Sequence, residues 1–373
     1  MIFRLDAINI WKNREVKERL NWYYKILRNE VKAKYLIIKS IELKENLNLK
    51  ELEEKELWKI HSELRNEFLD KFEKMKNGKN IEIKKIDKNN NNKNNFLDVK
   101  IELAYRMLSP CKFCENLCLA KRLEGEKGKC GLDNITRVAS AFLHYGEEAP
   151  LIPSGTIFFT GCSFKCVYCQ NWDISQNPKN GFEINSLQLA EIEKELYDKG
   201  AININFVGGN PDQNLHTILE SLKYFNENIA LLWNSNMYMT KESLELLLDV
   251  IDIWLPDFKY GNDSCAYKYS KIKNYFEIVS RNHKIIYDFG ENIIVRHLVL
   301  PNHLECCTYK VLDWISKNIP NVLVNIMDQY HPEYLVLKFP EKFDEIARRL
   351  NYEEIKKAYE YAKSKNICFE AIS

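Results

Sequence analysis

The sequence predicts an α/β protein. Six strand–helix units suit a partial barrel or an open doubly wound sheet, with a helical extension and a small cysteine-rich module ahead of them. Three observations predict this. Short apolar strand candidates alternate with amphipathic helix candidates from residue 156 onward, and such alternation specifies a parallel sheet with right-handed crossovers. Residues 1–86 carry helical periodicity broken by one glycine, Gly78. A polar, low-complexity Asn/Lys tract then separates this region from the rest.

The elements follow in order. In the helical extension 1–86, Leu20, Tyr23, Tyr24, Leu27 and Val31 recur at helical spacing, as do Leu52, Leu57, Ile60, Leu64 and Phe68. Such stripes are expected to pack on a core. The Asn/Lys-rich linker is placed at 87–98, since Asp87 to Asn95 offers no apolar anchor. A cysteine-rich module follows at 99–150, and the strand–helix domain fills 151–373. Strands are expected at 156–160, 202–207, 230–233, 251–256, 293–300 and 322–326, with a last short one at 367–371. Helices are expected near 186–199, 212–226, 241–250, 264–280, 308–318 and 352–365. Gly200 sits where a helix-ending glycine belongs. In a domain of this kind, functional loops lie at the carboxyl ends of the strands.

Composition narrows the function. With 54 basic and 53 acidic residues the net charge is +1, which gives no case for nucleic-acid binding. No apolar run reaches the roughly 18 residues of a membrane span, and the first residues lack a signal peptide's basic and apolar regions. A cytoplasmic protein is expected. There, eleven cysteines favour metal or redox work over disulfides. Four of them lie at 111–130 and three at 162–169.

Cys162, Cys166 and Cys169 form a C-x3-C-x2-C string directly after the first strand of the α/β domain. Thiolates are the usual ligands of cubane iron–sulfur clusters. Three from one loop leave a fourth iron open, whereas a structural zinc ion takes four protein ligands. Upstream, Cys111, Cys114, Cys118 and Cys130 make C-x2-C-x3-C-x11-C. Four thiolates suffice for a zinc site or an auxiliary iron–sulfur cluster, and the spacing leaves the choice open. Cys265, Cys306, Cys307 and Cys368 show no ligand spacing.

The triplet, with Tyr168 before its last cysteine, resembles the signature of the radical S-adenosylmethionine (radical SAM) superfamily. Further strings narrow the resemblance: Val207-Gly-Gly-Asn-Pro211, Leu255-Pro-Asp-Phe-Lys259, Val295-Arg-His-Leu-Val-Leu-Pro301 and Gln329-Tyr-His-Pro332. Their order over about 100–373 is similar to the pyruvate formate-lyase activating enzyme-like branch, in particular to homologues with extra upstream cysteines. The resemblance implies a partial (β/α)6 radical SAM barrel. Cys162, Cys166 and Cys169 would hold a [4Fe–4S] cluster, and S-adenosylmethionine would chelate its open iron. One electron from a donor such as ferredoxin or flavodoxin would then release a 5′-deoxyadenosyl radical that abstracts hydrogen from a substrate. That substrate is a glycine of a protein partner if the enzyme is activating-enzyme-like. A radical reaction on a small metabolite, or a non-catalytic iron–sulfur carrier, are the competing readings.

The same resemblance implies the cofactor contacts. Gly208, Gly209 and Asn210 occupy the loop that meets the amino group of S-adenosylmethionine, with Asn210 where a carboxylate is usual. Asn234 and Asn236 also replace a family carboxylate, and Asn234 is expected to line the site. Asp257 and Lys259, two apart on a strand, share one face and are expected to meet the cofactor. Arg296 needs a counter-charge inside its apolar strand; the cofactor carboxylate and Asp257 are the candidates. His331, past a strand end, is expected to stack on or hydrogen-bond the adenine.

Overall fold

The computed structural model describes residues 4–45, 47–79, 93–290 and 292–373. Its centre is an eight-stranded sheet of β1 (Thr136–His144), β2 (Ser154–Phe159), β3 (Phe182–Ile184), β4 (Asn203–Gly208), β5 (Ala230–Ser235), β6 (Ile253–Pro256), β7 (Asn292–Leu298) and β8 (Leu323–Met327). The order is β3-β1-β2-β4-β5-β6-β7-β8. From β2 to β8 every pair is parallel, and these six strands are the expected ones. Central strands read as continuous apolar runs because helices cover the sheet; Ala230–Ser235 is buried throughout.

Two strands escaped the sequence reading. β1 pairs antiparallel with β2, and β3 with β1. β1 lies inside the module expected at 99–150, where the cysteines drew attention from an Arg-Val-Ala-Ser-Ala-Phe-Leu run between Asn134 and Gly146. The strand expected at 367–371 reduces to one bridge, Cys368 to Leu323. The helix expected over 264–280 is two, Asp263–Ser270 and Tyr275–Asp288, with Lys271 and Asn274 left-handed between them.

Of the expected linker 87–98, residues 87–92 lie outside the described residues. Its end is ordered as a helix start. Asn95 caps the helix Phe96–Leu108 by accepting from the Leu97 and Asp98 amides, and Asp98 returns the bond to the Asn95 amide. The boundary placed at 98/99 therefore falls within a helix.

The N-terminal helices share one core with the sheet. They close the end of the sheet opposite the cysteine loop. Trp22 Nε1 donates to Asp252 Oδ1 (2.9 Å), which also accepts from the Lys34 amide (3.0 Å), while Asp252 Oδ2 takes the Leu231 amide (3.0 Å). The Tyr23 amide donates to Asn292 Oδ1 (2.7 Å), and the Tyr23 hydroxyl accepts from Asn203 Nδ2 (3.0 Å). Asn203, Asp252 and Asn292 stand at or just before the starts of β4, β6 and β7. Burying these carboxyl and amide groups is tolerable because each has a partner.

Glu193 is an exception that yields a prediction. It lies fully buried on the helix Ser186–Asp198, bonded by Ser221 Oγ (2.7 Å) at one oxygen and unpartnered at the other. Burial pushes its pKa up to about 8. A raised folded pKa gives stability that is full below the ordinary carboxylate value and gone once pH passes about 8. Glu193→Gln should therefore gain on the native chain as pH climbs from 5 to 9, by about 2–4 kcal/mol in all. Melting curves for the two chains that stay parallel across this range would refute it.

Candidate active site

All six parallel strands end at one cavity of about 230 Å³. Its wall on the β2 side is the cysteine loop, and Cys162, Cys166, Tyr168 and Cys169 all line it. Cys162 and Cys166 are buried and Cys169 half-buried. Each sulfur faces a hydrogen-bonding group. The Phe164 amide donates to Cys162 (3.3 Å), Ser270 Oγ is 3.0 Å from Cys166, and Ser175 Oγ is 3.3 Å from Cys169. The Ser270 contact ends a hydroxyl chain: Tyr168 to Tyr260 is 2.6 Å, and Tyr260 to Ser270 is 2.7 Å. Burial pushes Cys166 up to about 12, and Cys162 and Cys169 in the same direction. Without a metal these thiols stay protonated at neutral pH, so they are poor free nucleophiles.

The Gly208–Gly209 turn follows β4. Gly208 has φ +125°, and a Cβ there would stand 2.2 Å from the Phe159 nitrogen. A Cβ on Gly209 would stand 2.1 Å from the Gly161 carbonyl oxygen, and the Gly209 amide donates to Phe159 O (2.7 Å). The glycines are thus required first by the cysteine loop's own backbone, which they seat. A ligand in the cavity meets the exposed side of this turn.

Asn210 lines the cavity with both ends of its amide engaged. Oδ1 accepts from the Asn236 amide (3.1 Å), and Nδ2 donates to Gln213 Oε1 (3.2 Å). Asn236 in turn donates to Ser163 Oγ (3.2 Å) and approaches Cys162 Sγ (3.7 Å). Asn210 and Asn236 therefore tie the β4 and β5 loops to the cysteine loop. Asn234 differs: it is buried, lines the cavity, and its Nδ2 has no protein partner. An unsatisfied buried donor at a cavity wall suits a ligand acceptor.

The charged residues arrive paired. Lys259 Nζ lies 2.7 Å from Asp257 Oδ2. Burial works against the Lys259 charge, but Asp257 beside it outweighs this and holds its pKa above the ordinary value. Arg296 corrects the sequence reading. Its protein partners are not Asp257 but Glu147 and, at 2.7 and 2.8 Å, Glu148. Both glutamates precede β2 and are almost wholly buried. Glu147 also accepts from Asn205 (3.0 Å), and Glu148 from Asn325 (2.8 Å). This network crosses the interior from β4 to β8.

Every site residue expected near the cofactor lines the cavity except His331, which stands part-exposed 3.8 Å from Glu333. Gln329 and Tyr330 of the same loop line it instead, with Ser235, Leu298 and Met327 from other strand ends. The signal that would have found them is position: each sits at or just past the end of a parallel strand.

The upstream cysteines converge beside this loop. A Cβ on Gly128 would touch Cys118 Sγ (3.2 Å) and Cys130 Sγ (3.3 Å) together. Cys111 shifts Cys118 toward thiolate, while burial, with the charges of Cys130 and Cys118, pushes Cys114 up. Asn116 links the two groups, donating to Ser163 O (3.3 Å) and reaching Cys114 Sγ (3.8 Å).

Three sulfurs, two buried and one half-buried, each with a donor beside it and all open to one cavity, fit a cluster with an unliganded corner. A glycine cradle and an unsatisfied amide are within the same wall. Neither cysteine group brings three ligand atoms within 4.8 Å of one another; among the described residues only Cys265, His303 and Cys306 do.

A family model described as the radical SAM superfamily matches residues 156–315, from within β2 into the helix Tyr309–Asn318. "Uncharacterized protein MJ0674" of Methanocaldococcus jannaschii is 44% identical over 362 residues, covering 94% of this chain and 98% of that protein. "Uncharacterized protein MJ0808" of the same organism is 27% identical over 273 residues, covering 65% of this chain and 78% of that protein. Among solved structures, Streptococcus suis SuiB bound to precursor peptide SuiA has a TM-score of 0.39 at 15% identity, over 56% of this chain and 46% of that one. SuiB bound to S-adenosylmethionine gives 0.40 at 15% identity, over 56% and 47%. The chain thus spans under half the length of these structures.

Proposed function

Because the chain belongs to the radical SAM superfamily, in one family with the Methanocaldococcus jannaschii protein MJ0674, we propose that Cys162, Cys166 and Cys169 hold its [4Fe–4S] cluster at the cavity found here. When bound, that cluster supplies the electron that cleaves S-adenosylmethionine to methionine and a 5′-deoxyadenosyl radical, which takes hydrogen from the substrate. The single observation that carries the reading is the convergence of the three thiols of one loop and five other strand ends on one cavity.

The chain's own residues bind and orient. The Phe164 amide and the hydroxyls of Ser175 and Ser270 bond the three sulfurs, and such bonds tune a cluster's potential. Gly208 and Gly209 hold the loop in register and present backbone to the ligand's amino group. Asn234 Nδ2 offers the donor that no protein group takes. Lys259 faces the ligand's carboxylate or ribose with Asp257 already beside it. Arg296 acts from further back, fixed by Glu147 and Glu148, and gives the cavity floor its shape.

As substrate we take a glycine of a protein partner, in the activating-enzyme manner. What supports this is that all five strings carrying that resemblance reach the cavity, through Cys162, Gly208, Asp257, Arg296 and Gln329. The electron donor is a ferredoxin or flavodoxin, and the class is oxidoreductase. Cys111, Cys114, Cys118 and Cys130 hold a second metal, a zinc ion or an auxiliary iron–sulfur cluster, since Cys118 and Cys130 converge on Gly128. Eleven free cysteines suit a reducing cytoplasm. No helix among the described residues is long and apolar enough to cross a membrane.

Anaerobic reconstitution with iron and sulfide, then reductant and S-adenosylmethionine, should yield 5′-deoxyadenosine. The Cys162/Cys166/Cys169→Ala variant should make none and should bind about four fewer irons. A fully reconstituted native chain that makes no 5′-deoxyadenosine overturns the reaction. Deuterium reaching 5′-deoxyadenosine from a labelled protein glycine supports the activating role; deuterium from a small-molecule pool shifts the substrate to a metabolite.

A further inference from the structure

We propose that Cys265, His303, Cys306 and Cys307 form a further metal site, separate from both cysteine groups above, that takes a single tetrahedral cation of the zinc class. Cys265 opens the helix Asp263–Ser270, and the other three lie on and beside the π-helical turn Leu304–Thr308. Turns of this kind recur at functional sites because they push side chains out of helical register.

Cys265, His303 and Cys306 have the spacing of one ion, and Cys307 adjoins Cys306 as the fourth donor. Cys265 Sγ is 4.0 Å from Cys306 Sγ, and Cys306 Sγ is 3.8 Å from Cys307 Sγ. Ligand atoms of Cys265, His303 and Cys306 fall within 4.8 Å of one another. Two thiolates at about 2.3 Å from one tetrahedral zinc stand about 3.8 Å apart. The set of three sulfurs and one imidazole is a standard structural zinc set. A disulfide would need these sulfurs about 2 Å apart.

The surrounding groups are those a metal site requires. His303 Nδ1 is 2.6 Å from the Pro301 carbonyl, which holds the proton there and leaves Nε2 as the ligand atom. Metal-binding histidines are oriented in this way. Nε2 now faces the Tyr269 hydroxyl at 3.0 Å, and that hydroxyl keeps Glu345 as its acceptor if Nε2 turns to a metal. Asn262 Nδ2 points at two of the sulfurs, Cys265 (3.3 Å) and Cys307 (3.7 Å), and donates to Cys306 O (2.8 Å). A Cβ on Gly261 would stand 2.7 Å from Cys307 O, so only glycine lets the two loops meet here.

The site has a place in the larger structure. The helix Asp263–Ser270 that it pins ends at Ser270, whose hydroxyl touches Cys166 and whose carbonyl receives the Lys165 amide (3.0 Å). A cation here braces the backing of the cysteine loop from behind and takes no part in its chemistry.

Zinc, iron and sulfide per full-length chain test this, in protein purified without oxygen and without chelator. The native chain should carry about one zinc ion more than a Cys265→Ser/Cys306→Ser chain, with iron and sulfide equal. His303→Cys should retain that ion, and His303→Ala should weaken it by more than tenfold. Equal zinc in the native and double-variant chains overturns the site, as does a loss of iron and sulfide from the variant. Alkylation mapping of the native chain needs no variant. Cys265, Cys306 and Cys307 should be protected until zinc is stripped, and then react together. Equal labelling before and after stripping, or a Cys265–Cys306 disulfide, overturns it.

Discussion

Arg296→Met is expected to destabilise the chain by about 3–5 kcal/mol, because it strands two carboxylates in the interior. Glu147 and Glu148 are 4% and 1% exposed in their side chains, and Arg296 is the only cation paired with either carboxylate among the described residues, apart from His144 at 3.3 Å when protonated. Removing one partner of a buried pair exposes the desolvation cost that the pair had masked. For a chain of this size the loss corresponds to roughly 4–6 °C in melting temperature. Replacing all three, as Glu147→Gln/Glu148→Gln/Arg296→Met, should recover most of it, since no uncompensated charge remains. The pH sign follows from Glu147, whose carboxyl Arg296 holds below the ordinary range despite burial. Its contribution is full above about pH 4.5 and is lost as pH falls through the folded value. The gap between native and Arg296→Met chains should therefore narrow in acid. Thermal melts that show an Arg296→Met cost below about 1 kcal/mol, or a gap that widens in acid, would sink this account.

Gly209→Ala should cost about 3 kcal/mol or more and should empty the cysteine loop of iron. Its new methyl would stand 2.1 Å from one backbone atom and 2.7 Å from another, both in Gly161, the residue before Cys162. No flexible side chain is there to yield, so the loop itself must move. Gly200→Ala is the control. It has φ +96° but nothing within 4 Å, so it carries only the left-handed backbone cost of about 1–2 kcal/mol. Iron per chain after reconstitution separates them: Gly200→Ala should match the native chain, and Gly209→Ala should hold about four fewer irons. A Gly209→Ala chain that loads iron normally would show that the loop tolerates displacement and that the close packing is incidental.

The legible part of the site lay in short strings. Cys162, Cys166 and Cys169 stood out because a loop is contiguous in sequence, and all three line the cavity. Gly208, Gly209 and Asp257 were found because parallel strands deliver their ends to one edge, and strand ends can be read from apolar runs. His331 failed because a loop position past a strand does not say which way its side chain turns; Tyr330 beside it faces the cavity instead.

By itself, then, the sequence determined the six parallel strands, the loop that carries the thiols, and the chemistry those thiols allow. Periodicity and ligand spacing act over a few residues, so they survive without the fold. Only the tertiary structure decided the partners of Arg296, which lie 148 and 149 residues away, and the meeting of Cys265 with His303, Cys306 and Cys307 across some forty residues. Those pairings depend on which chain segments the sheet brings together, and on the free energy of burying charge and sulfur side by side, which no local pattern encodes.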